Sequence, residues 1–167
     1  MSICATLAAE LRQEARTTRR ILERVPEASF GWKPHEKSMT LGRLAAHVAE
    51  LPELILPALT QPELDFAAGD FKPFDPQTSA ELLEKFDRNI EEAVGLLEKQ
   101  PDERMGEPWR MRHGEQVFFE MPRAAVVRFV GLNHVVHHRG QLSVYLRLLD
   151  VPLPSIYGPS ADEGPGA

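Results

Sequence analysis

Asn133-His134-Val135-Val136-His137-His138-Arg139-Gly140-Gln141 lies within an apolar run over residues 122–149 that repeats with helical period. His134 and His138 are four positions apart. On an α-helix that spacing means about 40° of rotation and roughly 6 Å of rise. Both imidazoles then leave one face, a turn apart, close enough to hold one metal ion. A helix that is apolar around such a pair must be covered by other helices, so this stretch decides for an all-α architecture.

Working outward, three more helical segments appear. Leu7, Leu11, Ala15, Thr18, Leu22 and Val25 recur at steps of three and four, which predicts a first helix over residues 3–25, stopped by Pro26. The loop that follows carries Trp32, which reads as an anchor onto the bundle surface. Thr40 suits the N-cap of a second helix whose apolar stripe is Leu41, Leu44, Ala45, Val48 and Leu51, with His47 on the same broad face. Pro52 and Pro57 predict a kink or break beyond it. The proline-rich connection 61–77 is long enough to cross over the end of a bundle. Thr78-Ser79-Ala80-Glu81 opens a third helix with a capping-box pattern, and Gln100-Pro101-Asp102 ends it. Two short strand-like runs, Trp109-Arg110-Met111 and Val117-Phe118-Phe119, flank Gly114 and predict a β-hairpin before the last helix. Pro122 suits the first position of that fourth helix. The expected fold is one four-helix-bundle domain, residues 1–167, with a crossover connection and a hairpin, and a tail that loosens after about residue 158.

Composition narrows the function. Of 167 residues, 43% are hydrophobic and 26% charged, which is ordinary for a soluble domain. The net charge of −6 argues against nucleic acid as a partner. No apolar stretch is long enough to span a membrane, and no signal peptide is read at the start, so a cytoplasmic location is expected. Arg16, Arg19 and Arg20 alternate with Glu10, Glu14 and Glu23, which reads as a solvated helix face. The single cysteine, Cys4, excludes an internal disulfide and a Cys-based zinc site. It reads as a small apolar filler rather than a reactive thiol.

A lone histidine on an apolar helix face is usually a hydrogen-bonded core residue. The His134–His138 pair differs, because two buried imidazoles without partners cost free energy that a shared metal offsets. His47 adds a third neutral ligand if its helix meets theirs, which a pattern in one dimension does not show. His137 could replace His138, yet the stripe Val127, Val130, His134, Gln141, Tyr145, Leu148 favours His138 and leaves His137 beside the site. Glu50, three residues after His47, reads as a solvated residue next to the kink, with a fourth ligand or general base as the sharper alternative. Gln141 and Asn133 are candidates to hydrogen-bond the ligand imidazoles from behind. Arg139 reads equally as a surface residue or a substrate anchor, Tyr145 as packing, and His35 and His113 as solvated loop and turn residues.

Three pieces of this chain resemble the DinB-like family of small four-helix-bundle proteins, described also with the YfiT-like metal-dependent enzymes. They are Ser38-Met39-Thr40-Leu41-Gly42-Arg43-Leu44-Ala45-Ala46-His47, the run His134-Val135-Val136-His137-His138-Arg139-Gly140-Gln141, which is similar to the family's His-x-x-x-His-Arg-Gly-Gln signature, and the closing segment from Leu146-Arg147 through Val151-Pro152-Leu153-Pro154 to Asp162-Glu163. The resemblance implies a divalent metal on His47, His134 and His138, with His137 beside them, and it implies a homodimer. Some relatives use a low-molecular-weight thiol, bacillithiol or mycothiol, in transfer or isomerisation.

Two functions follow as expectations. One is a metal-dependent enzyme, a thiol-dependent S-transferase or a hydrolase acting on a small-molecule substrate. The other is a non-catalytic metal-binding protein of a stress response. Imidazole-only ligation suits zinc or nickel best and admits iron or copper. No Ser or Cys nucleophile with a partner is evident, so covalent catalysis is not suggested.

Overall fold

The computed structural model describes residues 2–69 and 72–164. Helix α1 spans Ile3–Leu22, α2 Leu41–Glu50, α3 Ile55–Thr60, α4 Ser79–Lys99, α5 Arg123–Val126 and α6 His134–Leu148. A π-helical stretch, Val127–Asn133, joins α5 to α6, so the last helix of the bundle runs unbroken from Arg123 to Leu148. It starts at Arg123 rather than at Pro122, whose extended backbone (ψ 143°) still belongs to the preceding strand.

Local chemistry sets these boundaries. The Thr40 hydroxyl accepts from the Arg43 amide, and the Thr78 hydroxyl from the Glu81 amide, each satisfying an orphan donor of the first turn. Glu81 reaches back one residue further than a capping box requires, accepting from the Gln77 amide at 2.7 Å. Pro52 sits in the first turn of a 3₁₀ segment, Leu51–Leu54, which breaks the second helix as the prolines predict. At the end of α6, Asp150 takes φ 57° so that the Val151 amide can reach the Leu146 carbonyl at 3.0 Å and the Asp150 amide the Arg147 carbonyl at 3.1 Å.

Each long helix packs on two others. Helix α1 lies against α4 and α6, and α2 also lies against α4 and α6, so α1 and α2 occupy opposite corners of the bundle. The connection from α2 to α4 therefore does not close a simple hairpin. It carries α3 and a short strand, β1 (Glu63–Asp65), which pairs parallel to β2 (Pro108–His113). Strand β3 (Gln116–Pro122) pairs antiparallel to β2 through a turn in which Gly114 has φ 57°. The expected hairpin is thus two strands of a three-stranded sheet.

The core has three parts. Leu44, Phe86 and Leu142 belong to one, Leu11, Leu59 and Leu97 to a second, and Trp109, Met111 and Val130 to a third under the sheet. Gly131 is required where the π-helical stretch crosses Ile55, because a Cβ there would stand 2.4 Å from the Ile55 Cδ1. Beyond residue 158, the Glu163 carboxylate accepts from the Ser155 amide and pairs with Arg20 at 2.6 Å, and Asp162 pairs with Arg147. Among the described residues no helix is long and apolar enough to cross a membrane.

Candidate metal centre

Contact between α2 and α6 brings His47 to His134 and His138. The candidate ligand atoms of these three all lie within 4.8 Å of one another. Ring centroids are 4.5 Å apart for His47 and His138, 5.2 Å for His47 and His134, and 4.7 Å for His134 and His138. The Nε2 atoms of His134 and His138 face each other at 2.9 Å. Two imidazole nitrogens about 2.0–2.1 Å from one ion stand roughly 2.8–3.4 Å apart at right to tetrahedral angles, so this pair fits a shared cation.

The far side of the His138 ring is already engaged, with Nδ1 2.6 Å from the Gln141 side-chain oxygen. A neutral imidazole has one N–H. Spending it on Gln141 turns the Nε2 lone pair of His138 toward His134, where a cation can accept it. Burial is the main influence lowering all three imidazoles, and the neighbouring histidines add to it. His47 is pushed down to about 4, with Arg43 contributing last. The cluster is therefore neutral near pH 7, the state in which imidazole binds metal.

The surroundings redistribute the other sequence candidates. Glu50 is neither solvated nor aimed at the cluster. It is buried, pairs with Arg43 at 2.7 Å and accepts from the Phe74 amide, so it pins the 72–78 segment over α2. His137 is exposed, with its ring 4.7 Å from that of His138, as expected for a residue beside the site. Gln141 takes the supporting role expected of it, whereas Asn133 is exposed and holds no ligand ring. Arg139 is neither surface nor anchor. At 1% exposure it binds the Glu14 carboxylate at 2.7 Å, the Thr18 hydroxyl at 3.1 Å and the Tyr157 hydroxyl at 2.8 Å. Tyr145 packs edge-on against Trp32, centroids 5.7 Å apart, and so anchors that loop. His35 and His113 are exposed. Cys4 is buried and its thiol is pushed up to about 11, by burial first and Asp102 second, which makes it inert at neutral pH.

Two cavities flank the histidines. One, of about 470 Å³, touches His47 and is bordered by Arg43, Glu50, Glu53 and Asp65 as well as apolar groups. The other, of about 430 Å³, touches His134 and His137. Leu54 borders both.

A mostly helical bundle with a small sheet and three clustered histidines on facing helices defines the class. The chain belongs to the DinB family, whose model matches residues 1–165. It is similar to the protein YrdA of Bacillus subtilis (strain 168), described as uncharacterized, at 26% identity over 151 residues, covering 90% of this chain and 85% of that one. Among solved structures, it is similar to a DinB-like protein from Bacillus cereus ATCC 10987, with a TM-score of 0.71, 20% identity and coverage of 90% and 95%. A second, the DinB-like YjoA of Bacillus subtilis, gives 0.70, 17%, 90% and 99%. These likenesses establish the fold.

Proposed function

We propose that this protein is a metal-dependent enzyme, a transferase or hydrolase, whose divalent ion is held by His47, His134 and His138. The observation that carries the reading is the pair of Nε2 atoms 2.9 Å apart, with the His138 ring held from behind by Gln141 and the His47 ring 4.5 Å from that of His138. A bound ion would lower the pKa of a water or a thiol beside it, making a nucleophile near neutral pH. The chain's residues do the rest. Gln141 holds the His138 ring, the neighbouring cavities give a small molecule access to the cluster, and His137 stands at the rim as the group able to take a proton at a ring nitrogen. Glu50 does not serve as the base, because its carboxylate is committed to Arg43 and Phe74.

A low-molecular-weight thiol is one co-substrate and water the other; the thiol rests on the family resemblance alone. The competing idea of a structural metal calls for four protein ligands as a rule. Among the described residues the cluster offers three. The test is metal content of untagged protein after incubation with zinc or nickel, beside His47→Ala, His134→Ala and His138→Ala. The expected result is about one ion per chain in the parent and a loss of at least tenfold in affinity in each variant. A parent that takes up no metal, or variants that bind as well as the parent, would remove the reading.

A further inference from the structure

The cavity that ends on His134 and His137 differs in kind from its neighbour. Three separate parts of the chain wall it: Leu54 from the 3₁₀ segment after α2, Met111 and Phe119 from the sheet, and Phe129 and Val130 from the π-helical stretch. Its polar lining is Asn133, His134 and His137, all from one helix and so all on one side. No carboxylate, guanidinium or ammonium group lines it, whereas the cavity beyond Leu54 has four charged side chains. Its volume, about 430 Å³, falls in the range of small-molecule sites.

These properties select a ligand. A charged group would be stripped of water there and find no countercharge. An apolar group would instead remove both its own surface and that of five apolar side chains from water. Two of those side chains are aromatic: the Phe119 and Phe129 rings stand edge to face at 6.0 Å, with Phe129 56% exposed at the mouth. A flat ring entering between the sheet and the helix can meet one by its face and the other by its edge.

We infer that this cavity seats an uncharged aromatic group of the substrate, with the substrate's polar or reacting atom turned toward His134 and His137. Calling the ligand a substrate rests on the metal-centre reading above. Seating of the ring does not, because the walls that bind it contain no metal ligand other than His134 at one end.

The probe is indole, and the reporter is the Met111 methyl group in protein labelled with ¹³C at the methionine methyls. Met111→Leu assigns that resonance. Indole is titrated into metal-free and zinc-incubated protein. The expected result is a saturable ring-current shift of Met111, with Met39 unmoved. Asn133→Trp fills the cavity from an exposed position and weakens indole binding by at least about tenfold, and Phe129→Ala removes half of the aromatic pair and weakens it about threefold. Both positions are exposed, so the fold survives, and an unchanged melting temperature checks this. No Met111 shift at millimolar indole, or a shift indifferent to Asn133→Trp, overturns the assignment. Indole binding in a protein that takes up no metal upholds the cavity while removing the metal centre. Metal uptake without indole binding does the reverse.

Discussion

Adjacent residues in the deciding stretch do opposite jobs. His138 turns toward the cluster, while Arg139, one position on, turns into the contact with α1 and the chain after α6. Its guanidinium is bonded on one side to Glu14 and Thr18 and on the other to Tyr157, whose ring also lies 5.1 Å beneath it and whose hydroxyl donates to Glu14 at 2.8 Å. Replacing the arginine with an apolar residue leaves Glu14 without its countercharge at a site that is largely closed to water. Arg139→Met is expected to cost about 3 kcal/mol in urea unfolding, with metal content unchanged, since the side chain touches none of the three histidines. A loss below about 0.5 kcal/mol, or loss of metal from a protein that still folds, would show that the residue works through the site instead. Sequence reading left Arg139 between surface and substrate because its partners lie 121 to 125 positions upstream and 18 downstream. The histidines were legible for the contrary reason. Spacing on one helix defined His134 and His138, and only the packing of α2 on α6, which no single-helix pattern encodes, was needed to add His47.

Helix α1 shows the same division between local and distant causes. Its amphipathic period is plain in the sequence, but its N-terminus is closed from a hundred residues away. The Asp102 carboxylate accepts from the Ile3 amide at 2.9 Å, the Cys4 amide at 3.0 Å and the Ser2 hydroxyl at 2.7 Å. It thereby places a negative charge at the positive end of the helix dipole. These bonds, the Cys4 amide first, then the Ser2 hydroxyl and the Ile3 amide, hold the carboxyl well below the usual carboxylate range. The folded state therefore gives up this proton more readily than the unfolded chain, whose Asp titrates near about 3.9. The stabilisation is complete above that value and disappears as pH falls below it toward the folded value. Asp102→Asn is expected to melt lower than the parent at about pH 7, and the gap is expected to narrow as pH drops from about 4 to about 2, where the unfolded chain takes up the proton that the folded carboxylate still releases. A gap that stays constant with pH would mean that the charge contributes nothing. Strand β1 escaped the sequence reading for a related reason: Glu63-Leu64-Asp65 is too short for a period, and what holds it is backbone pairing with β2 and the ion pairs of Glu63 and Asp65 with Arg112. The π-helical stretch was equally silent, since Val127–Asn133 carries no residue pattern that separates it from the α-helix on either side.

At the scale of the whole molecule, the histidine cluster is a seam. His47 comes from one corner of the bundle and His134 and His138 from the neighbouring corner, so an ion held by all three joins two helices separated by the entire crossover connection, α4 and the sheet. The unfolded chain keeps His134 and His138 within one turn's reach but loses His47. An ion that prefers the folded state stabilises it by about 2.7 kcal/mol when free metal is a hundred times the dissociation constant. For a chain of this size that amounts to a rise in melting temperature of about 5–10 °C. Zinc or nickel is therefore expected to raise the melting temperature of the parent by that amount, and to leave His134→Ala and His47→Ala where they were. Before metal is added, His134→Ala is expected to melt close to the parent, because the ring is half-buried beside a cavity and removing it also relieves a close pair of nitrogens. Unfolding of that variant in the absence of metal would instead make the cluster a structural element of the bundle. An equal metal-induced rise in parent and variants would place the ion elsewhere on the molecule. A rise confined to the parent, in a bundle that stands without it, is the behaviour of a site that holds its metal for chemistry rather than for folding.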